Sequence, residues 1–175
     1  MIRLLQAKTR ALACMTALAL LGALVAGRAQ SQQAALEPLS AFPKAMLAIR
    51  TQGGNVHNFS IWIADRLERQ EQGLMFVRKL EAHSGMLFVY PRDQHIAMWM
   101  KNTVMSLDML FIRADGTIAH IAANTTPQSL DIIEAPGTVR AVLELDGGTA
   151  ARLGIHNGDR IFSDALSPHV VKTPH

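Results

Sequence analysis

The chain has 175 residues, 17 Lys and Arg against 14 Asp and Glu, a formal net charge of +3 and a single cysteine, Cys14. That length suits one domain with a real hydrophobic core, and one cysteine excludes a disulfide framework. The basic excess sits at one end: Arg3, Lys8, Arg10 and Arg28 lie in the first 29 residues, so 13 of the 17 basic residues remain after them against 14 acidic ones, a net charge of −1. Without a basic cluster or an aromatic-rich surface, a nucleic-acid partner is not expected.

Arg3, Lys8 and Arg10 precede an apolar run from Ala11 to Ala26, and the small residues Gly27 and Ala29 follow. This is the pattern of a cleavable secretory signal over 1–29, with cleavage after Ala29. The run falls short of the roughly 20 residues of a membrane span, so contact with a membrane is expected only through the signal. Cys14 lies inside the run with Leu12 one position too near for a lipidation site. The expected product is exported, to the periplasm or the medium. Residues 30–43, rich in Gln, Ala and Ser with Pro38 and Pro43, read as a flexible leader.

Residues 44–166 read as a single β-rich domain, followed by a C-terminal tail over 167–175. Alternation from Met46 to Thr51, a turn at Gly53-Gly54-Asn55 and a β-forming run from Val56 to Ala64 predict a hairpin. Asp65 and Glu68 resemble a helix start with a reciprocal cap, and a short helical pattern follows through Leu74 and Met75. Strand-length runs occupy Met86–Tyr90, Ile96–Met100 and Leu107–Arg113. Ala114-Asp115-Gly116 turns the last of these into a strand over Thr117–Ala122. Thr138–Leu145 is a further strand, Asp146-Gly147-Gly148-Thr149 open a short helical stretch through Leu153, and Asn157-Gly158 leads into a last strand at Arg160–Ser163. About eight short strands and two short helices predict a compact β-sandwich or partly closed barrel.

Chemistry concentrates in few places. Met98-Trp99-Met100-Lys101-Asn102-Thr103 packs an aromatic, a cation, an amide and a hydroxyl into one turn, and Asp108 opens the next strand. Asp108 and Glu144 are carboxylates within apolar strands, and a buried carboxylate needs a partner; Lys101, Arg78 and Arg140 are the candidate cations. The leading expectation is a binding domain that performs no catalysis. Its ligand would be a small polar or glycan-like molecule, or an envelope protein, held by Arg78, Trp99, Lys101, Asn102, Asp108 and Glu144, in a monomer with no cofactor. One alternative is a hydrolase or lyase using Asp108 and Glu144 as paired carboxylates. Another is Cu(I) bound by Met98 and Met100 near His95, which regular strand parity opposes because the methionines and His95 fall on different faces. No Gly-x-Ser-x-Gly elbow, phosphate-binding loop or paired histidine spacing occurs.

Gly73-Leu74-Met75 with Arg78 and Leu80, Gly85-Met86-Leu87-Phe88, Trp99 through Thr103, Leu107-Asp108 with Phe111, Gly116 with Ile118, Leu143-Glu144-Leu145 and Gly158-Asp159 together resemble the pattern of the Domain of Unknown Function 192 family, from about Asn58 to Phe162. The resemblance implies a compact, mainly β domain, often exported in bacteria, with no established activity and no catalytic residues to carry over. The chain departs from the pattern at Gln72 for an Arg, Met98 for an aromatic and Ser106 for a Pro.

Overall fold

The computed structural model describes residues 36–166. The expected signal over 1–29, the start of the expected leader and the expected tail lie outside the described residues.

Nine strands and two short helices follow in the order β1 (Lys44–Arg50), β2 (Val56–Ala64), α1 (Leu67–Gln72), β3 (Ser84–Gln94), β4 (Ala97–Met98), β5 (Leu107–Ile112), β6 (Ile118–Ala122), β7 (Ile133–Glu134), β8 (Val139–Asp146), α2 (Thr149–Leu153) and β9 (Arg160–Phe162). Seven strands form one mainly antiparallel sheet in the order β6-β5-β8-β3-β2-β1-β9, and β4 pairs with β7 in a separate ribbon. The one parallel pair, β2 with β3, is joined through α1, as a parallel connection requires a crossover. The sequence pattern located every strand except the two-residue β7, which is too short to carry a period.

The sheet curls until its outer strands meet. Ile118 and Ile161 donate backbone N–H bonds to Asp159 and Gly116 at 2.9 and 2.8 Å, and Thr117 pairs with Arg160. Gly116 has a φ of 84°, and a Cβ there would collide with the carbonyl oxygen of Ile161, so the Asp-Gly turn serves both the hairpin and the seam. The expected partly closed barrel is what forms.

Curling gives the sheet two cores. Inside it, Leu47, Ile49, Phe59, Ile61, Leu110, Leu143 and Ile161 pack with Ala150 and Ile155 from the α2 region. Outside it, Met86, Phe88, Leu107, Met109, Phe111 and Val142 are covered by Leu74, Leu80, Ile96, Met98 and Met100. The central strands are consequently buried on both faces, and all six residues of β5 are buried.

Two features differ from the sequence expectation. Asp65 and Glu68 do not form a capping box, since the N-cap position is Arg66 and carries no side-chain cap. Asp65 instead pairs with Arg69 one turn on, at 3.0 Å. The described part of the leader is docked rather than flexible. The Gln72 side-chain amide accepts the Glu37 N–H and donates to the Glu37 carbonyl, each at 2.7 Å. The Glu37 carboxylate meets both Arg66 and Arg69, whose guanidinium groups, Arg69 first, hold its pKa down at about 2 from the usual 4.5. Arg69 also donates to the Ala41 carbonyl at 3.1 Å and lies 5.2 Å from the ring centroid of Phe42, which is buried in the outer core. A compositional reading sees only Gln, Ala and Ser there and misses these specific bonds.

Asp108 fixes α2 to the barrel. Its side chain is fully buried on the inner face, and it accepts N–H bonds from Asn124 at 2.8 Å, Gly148 at 3.0 Å and Ala150 at 2.8 Å. These include donors from the first turn of α2, whose N-terminal amides otherwise lack partners. Asp108→Ala would orphan three N–H groups in an apolar interior, at a cost of roughly 3–5 kcal/mol. The expected outcome is a melting temperature lower by more than about 10 °C in a calorimetric scan; a change within error would refute the role of Asp108 as a clamp.

Candidate functional site

Asp108 and Glu144 sit on neighbouring strands one residue out of phase. Asp108 is paired across the ladder with Leu145, and Glu144 with Met109, so the two carboxylates emerge on opposite faces of the sheet. Paired acid–base chemistry between them has no common cleft in which to occur. The cations considered as partners are absent from both: Asp108 is satisfied by backbone amides, and Arg140 pairs with Asp93 at 2.8 Å.

Glu144 faces the outer core, flanked across the ladders by Met86 and Met109. It is 4% exposed, and its Oε2 is buried without a hydrogen-bond partner. Burial among apolar groups penalises the charged form and pushes its pKa up to about 8. Glu144 is thus mainly a neutral acid at pH 7, able to donate one hydrogen bond and accept others.

Glu144 is among the residues that line a cleft of about 260 Å³. One wall is α1 with Gly73 and Leu74 after it, a second is Phe88 and Tyr90 of β3, and the third is Met98, Trp99 and Lys101. Tyr90 is the chain's one tyrosine; burial first, then the nearby Glu144, pushes its pKa up to about 12, so its hydroxyl stays protonated. Strand parity could have found it, because Met86, Phe88 and Tyr90 alternate on the face that Met86 shares with Glu144.

The rim is set by a buried anchor on each side of Trp99. Met98 and Met100 point into the core, and Thr125 donates its hydroxyl to the Met100 sulfur at 3.2 Å. Trp99 between them is turned outward, 46% exposed, with the Lys101 ammonium 5.0 Å from its ring centroid. Asn102 takes a φ of 58° in the turn closed by the bond from Thr103 N–H to the Met100 carbonyl. Asn tolerates that conformation better than most residues.

The structure therefore gathers Trp99, Lys101 and Glu144 around one cleft and leaves the other expected residues elsewhere. Asp108 is on the opposite face of the sheet. Arg78 is exposed and lines a separate depression with Phe76 and Val104. Asn102 shapes the turn, its carbonyl accepting the Phe76 N–H at 2.9 Å. His95 is exposed while Met98 and Met100 are buried, so no copper set is assembled from them. Among the described residues, no three His, Cys, Asp or Glu side chains converge as metal ligands.

The sequence profile of Domain of Unknown Function 192, described as Uncharacterized ACR, matches residues 48–163. The chain belongs to this family. Among solved structures, a protein from Sinorhizobium meliloti, provisionally described as a transcription regulator, is 40% identical with a TM-score of 0.70, the match covering 71% of this chain and 96% of that one. A protein of unknown function from Novosphingobium aromaticivorans is 36% identical with a TM-score of 0.69, over 73% of this chain and 91% of that one. No curated protein matches the chain. Gln72, just before Gly73-Leu74-Met75, is the residue that binds the leader at Glu37.

Replacing Glu144 by Gln tests the buried acid directly. A carboxyl whose folded pKa is raised loses stability as pH climbs from the usual 4.5 to about 8, because the unfolded chain ionises first. Glu144→Gln should therefore be the more stable protein at pH 8, by on the order of 2–4 kcal/mol, with the advantage shrinking toward pH 4.5. Urea titrations across that range read the difference; parallel curves would mean that Glu144 is ionised and paired.

Proposed function

We propose that this domain is exported and binds a small polar ligand in the cleft between α1, β3 and the Trp99 turn, without catalysing a reaction on it. The observation that supports the reading best is Glu144. A buried carboxyl with an unpartnered oxygen costs stability, and its place at a cleft lets a ligand supply the missing partner. Trp99 offers a flat apolar face at the rim, the Tyr90 hydroxyl a second polar contact, and Lys101 a mobile charge beside the ring. Apolar walls with a few convergent polar groups are the usual composition of a small-ligand site.

A role as a transcription regulator, as the Sinorhizobium protein is described, has little physical support in this chain if it requires contact with DNA. Beyond residue 29 it carries 13 basic against 14 acidic residues, and Arg66, Arg69 and Arg140 are held in ion pairs with acidic side chains. Export rests on the charged, apolar and small-residue pattern of the first 29 residues.

Two measurements test the proposal. Mass spectrometry of the protein recovered from its producing cells should give a chain beginning at Gln30; retention of Met1 in the membrane fraction would overturn export. In a thermal-shift screen with sugars, peptidoglycan fragments, organic acids and amines, one class should raise the melting temperature by mass action, and Trp99→Ala should abolish the shift. A shift that survives Trp99→Ala, or none with any class, would remove the cleft as the binding site.

A further inference from the structure

Given the binding role proposed for the cleft, we propose that the part of the ligand entering it is an organic ammonium group, a primary or methylated amine. Three aromatic side chains, Phe88, Tyr90 and Trp99, line the same small cleft as the Glu144 carboxyl. Aromatic faces carry negative electrostatic potential and attract ammonium ions, most strongly where water is excluded. One ring already demonstrates this: the Lys101 ammonium rests 5.0 Å from the Trp99 centroid. Lys101 is exposed and carried on a flexible stem, so a ligand cation can displace it from the ring.

The partnerless oxygen of Glu144 makes the second half of the recognition. A neutral hydroxyl would give it one ordinary hydrogen bond, whereas an ammonium gives a charge-assisted one. The charged and titratable groups facing the same cleft are Glu71 from α1, Tyr90 from β3 and Lys101 from the Trp99 turn. Tyr90 stays protonated, and Glu71 and Lys101 carry opposite charges.

Binding then exchanges a proton for a cation. The neutral carboxyl loses its O–H proton to buffer, the ammonium keeps its own protons, and the complex holds the ammonium against the carboxylate. With the free acid titrating near 8, amine binding at mildly acidic pH should release close to one proton per site. A neutral polyol should release none.

The experiment is isothermal titration of the purified protein with methylamine and ethanolamine, and with ethylene glycol as the uncharged counterpart of ethanolamine, each in two buffers of different ionisation enthalpy. The amines should bind with a buffer-dependent heat equivalent to about one proton, and Glu144→Gln should remove that dependence and weaken binding by about tenfold or more. Lys101→Met should tighten amine binding several-fold by freeing the Trp99 face. Circular dichroism spectra that overlay wild type keep both variants interpretable. Sugars or ethylene glycol binding in a Trp99-dependent way without proton release, while the amines do not bind, would overturn the ammonium assignment and leave the binding cleft standing. No Trp99-dependent binding by any compound would overturn both.

Discussion

A sheet buried on both faces leaves its polar side chains no route to water, and this constraint governs the molecule. Strands β5 and β8 lie between an inner core enclosed by the curl and an outer core covered by the segment after α1, by β4 and by the loops. Asp108 and Glu144 face the same problem and meet it differently. Asp108 collects three backbone amides from Asn124, Gly148 and Ala150, which is a satisfied network and costs the fold little. Glu144 has no such donors and is kept neutral by its surroundings. One carboxylate holds a helix in place, and the other is left available at a cleft.

The outer core differs in kind from the inner one. Strands enclose the inner core, which has ordinary aliphatic packing, whereas the outer core is covered by short irregular segments and is rich in methionine, with Met86, Met98, Met100, Met105 and Met109 all buried there. Methionine adapts to irregular gaps. The covering loops hold one another through backbone bonds: Phe76 N–H to the Asn102 carbonyl, Gln128 N–H to that of Thr103, and Met100 N–H to that of Ser129. Phe76, Asn102 and Gln128 all take positive φ angles, between 58° and 61°. Left-handed non-glycine residues store strain, and they gather where surrounding contacts over-determine the backbone. Here they gather at the corner that presents Trp99 and Lys101.

Helix α1 has six residues and is too short to stand alone. Its position depends on the leader, since Arg66, Arg69 and Gln72 on the helix all bind Glu37. One wall of the cleft is thereby tied to a segment that precedes the first strand. The coupling runs through ion pairs that are partly open to solvent, which are individually weak, together with the buried Phe42 ring beneath Arg69.

By itself the sequence determined the strand content, the β1–β2 and β5–β6 hairpins, and the likeness to Domain of Unknown Function 192. These are local properties: a period of two, a turn residue with positive φ, a run of characteristic residues. The sequence named Trp99, Lys101 and Glu144 because each is unusual in its immediate setting, and for the same reason it named Arg78, Asn102 and Asp108, which the fold sends elsewhere. Only the tertiary structure decided which unusual residues share a cleft, since that depends on strand order and on what covers each face. Strand order placed β8 between β3 and β5, which set Glu144 on the same face as Tyr90 and opposite in face to Asp108. Neither relation is carried by any stretch of chain, because β3 and β8 are far apart in sequence and pair only in the folded sheet.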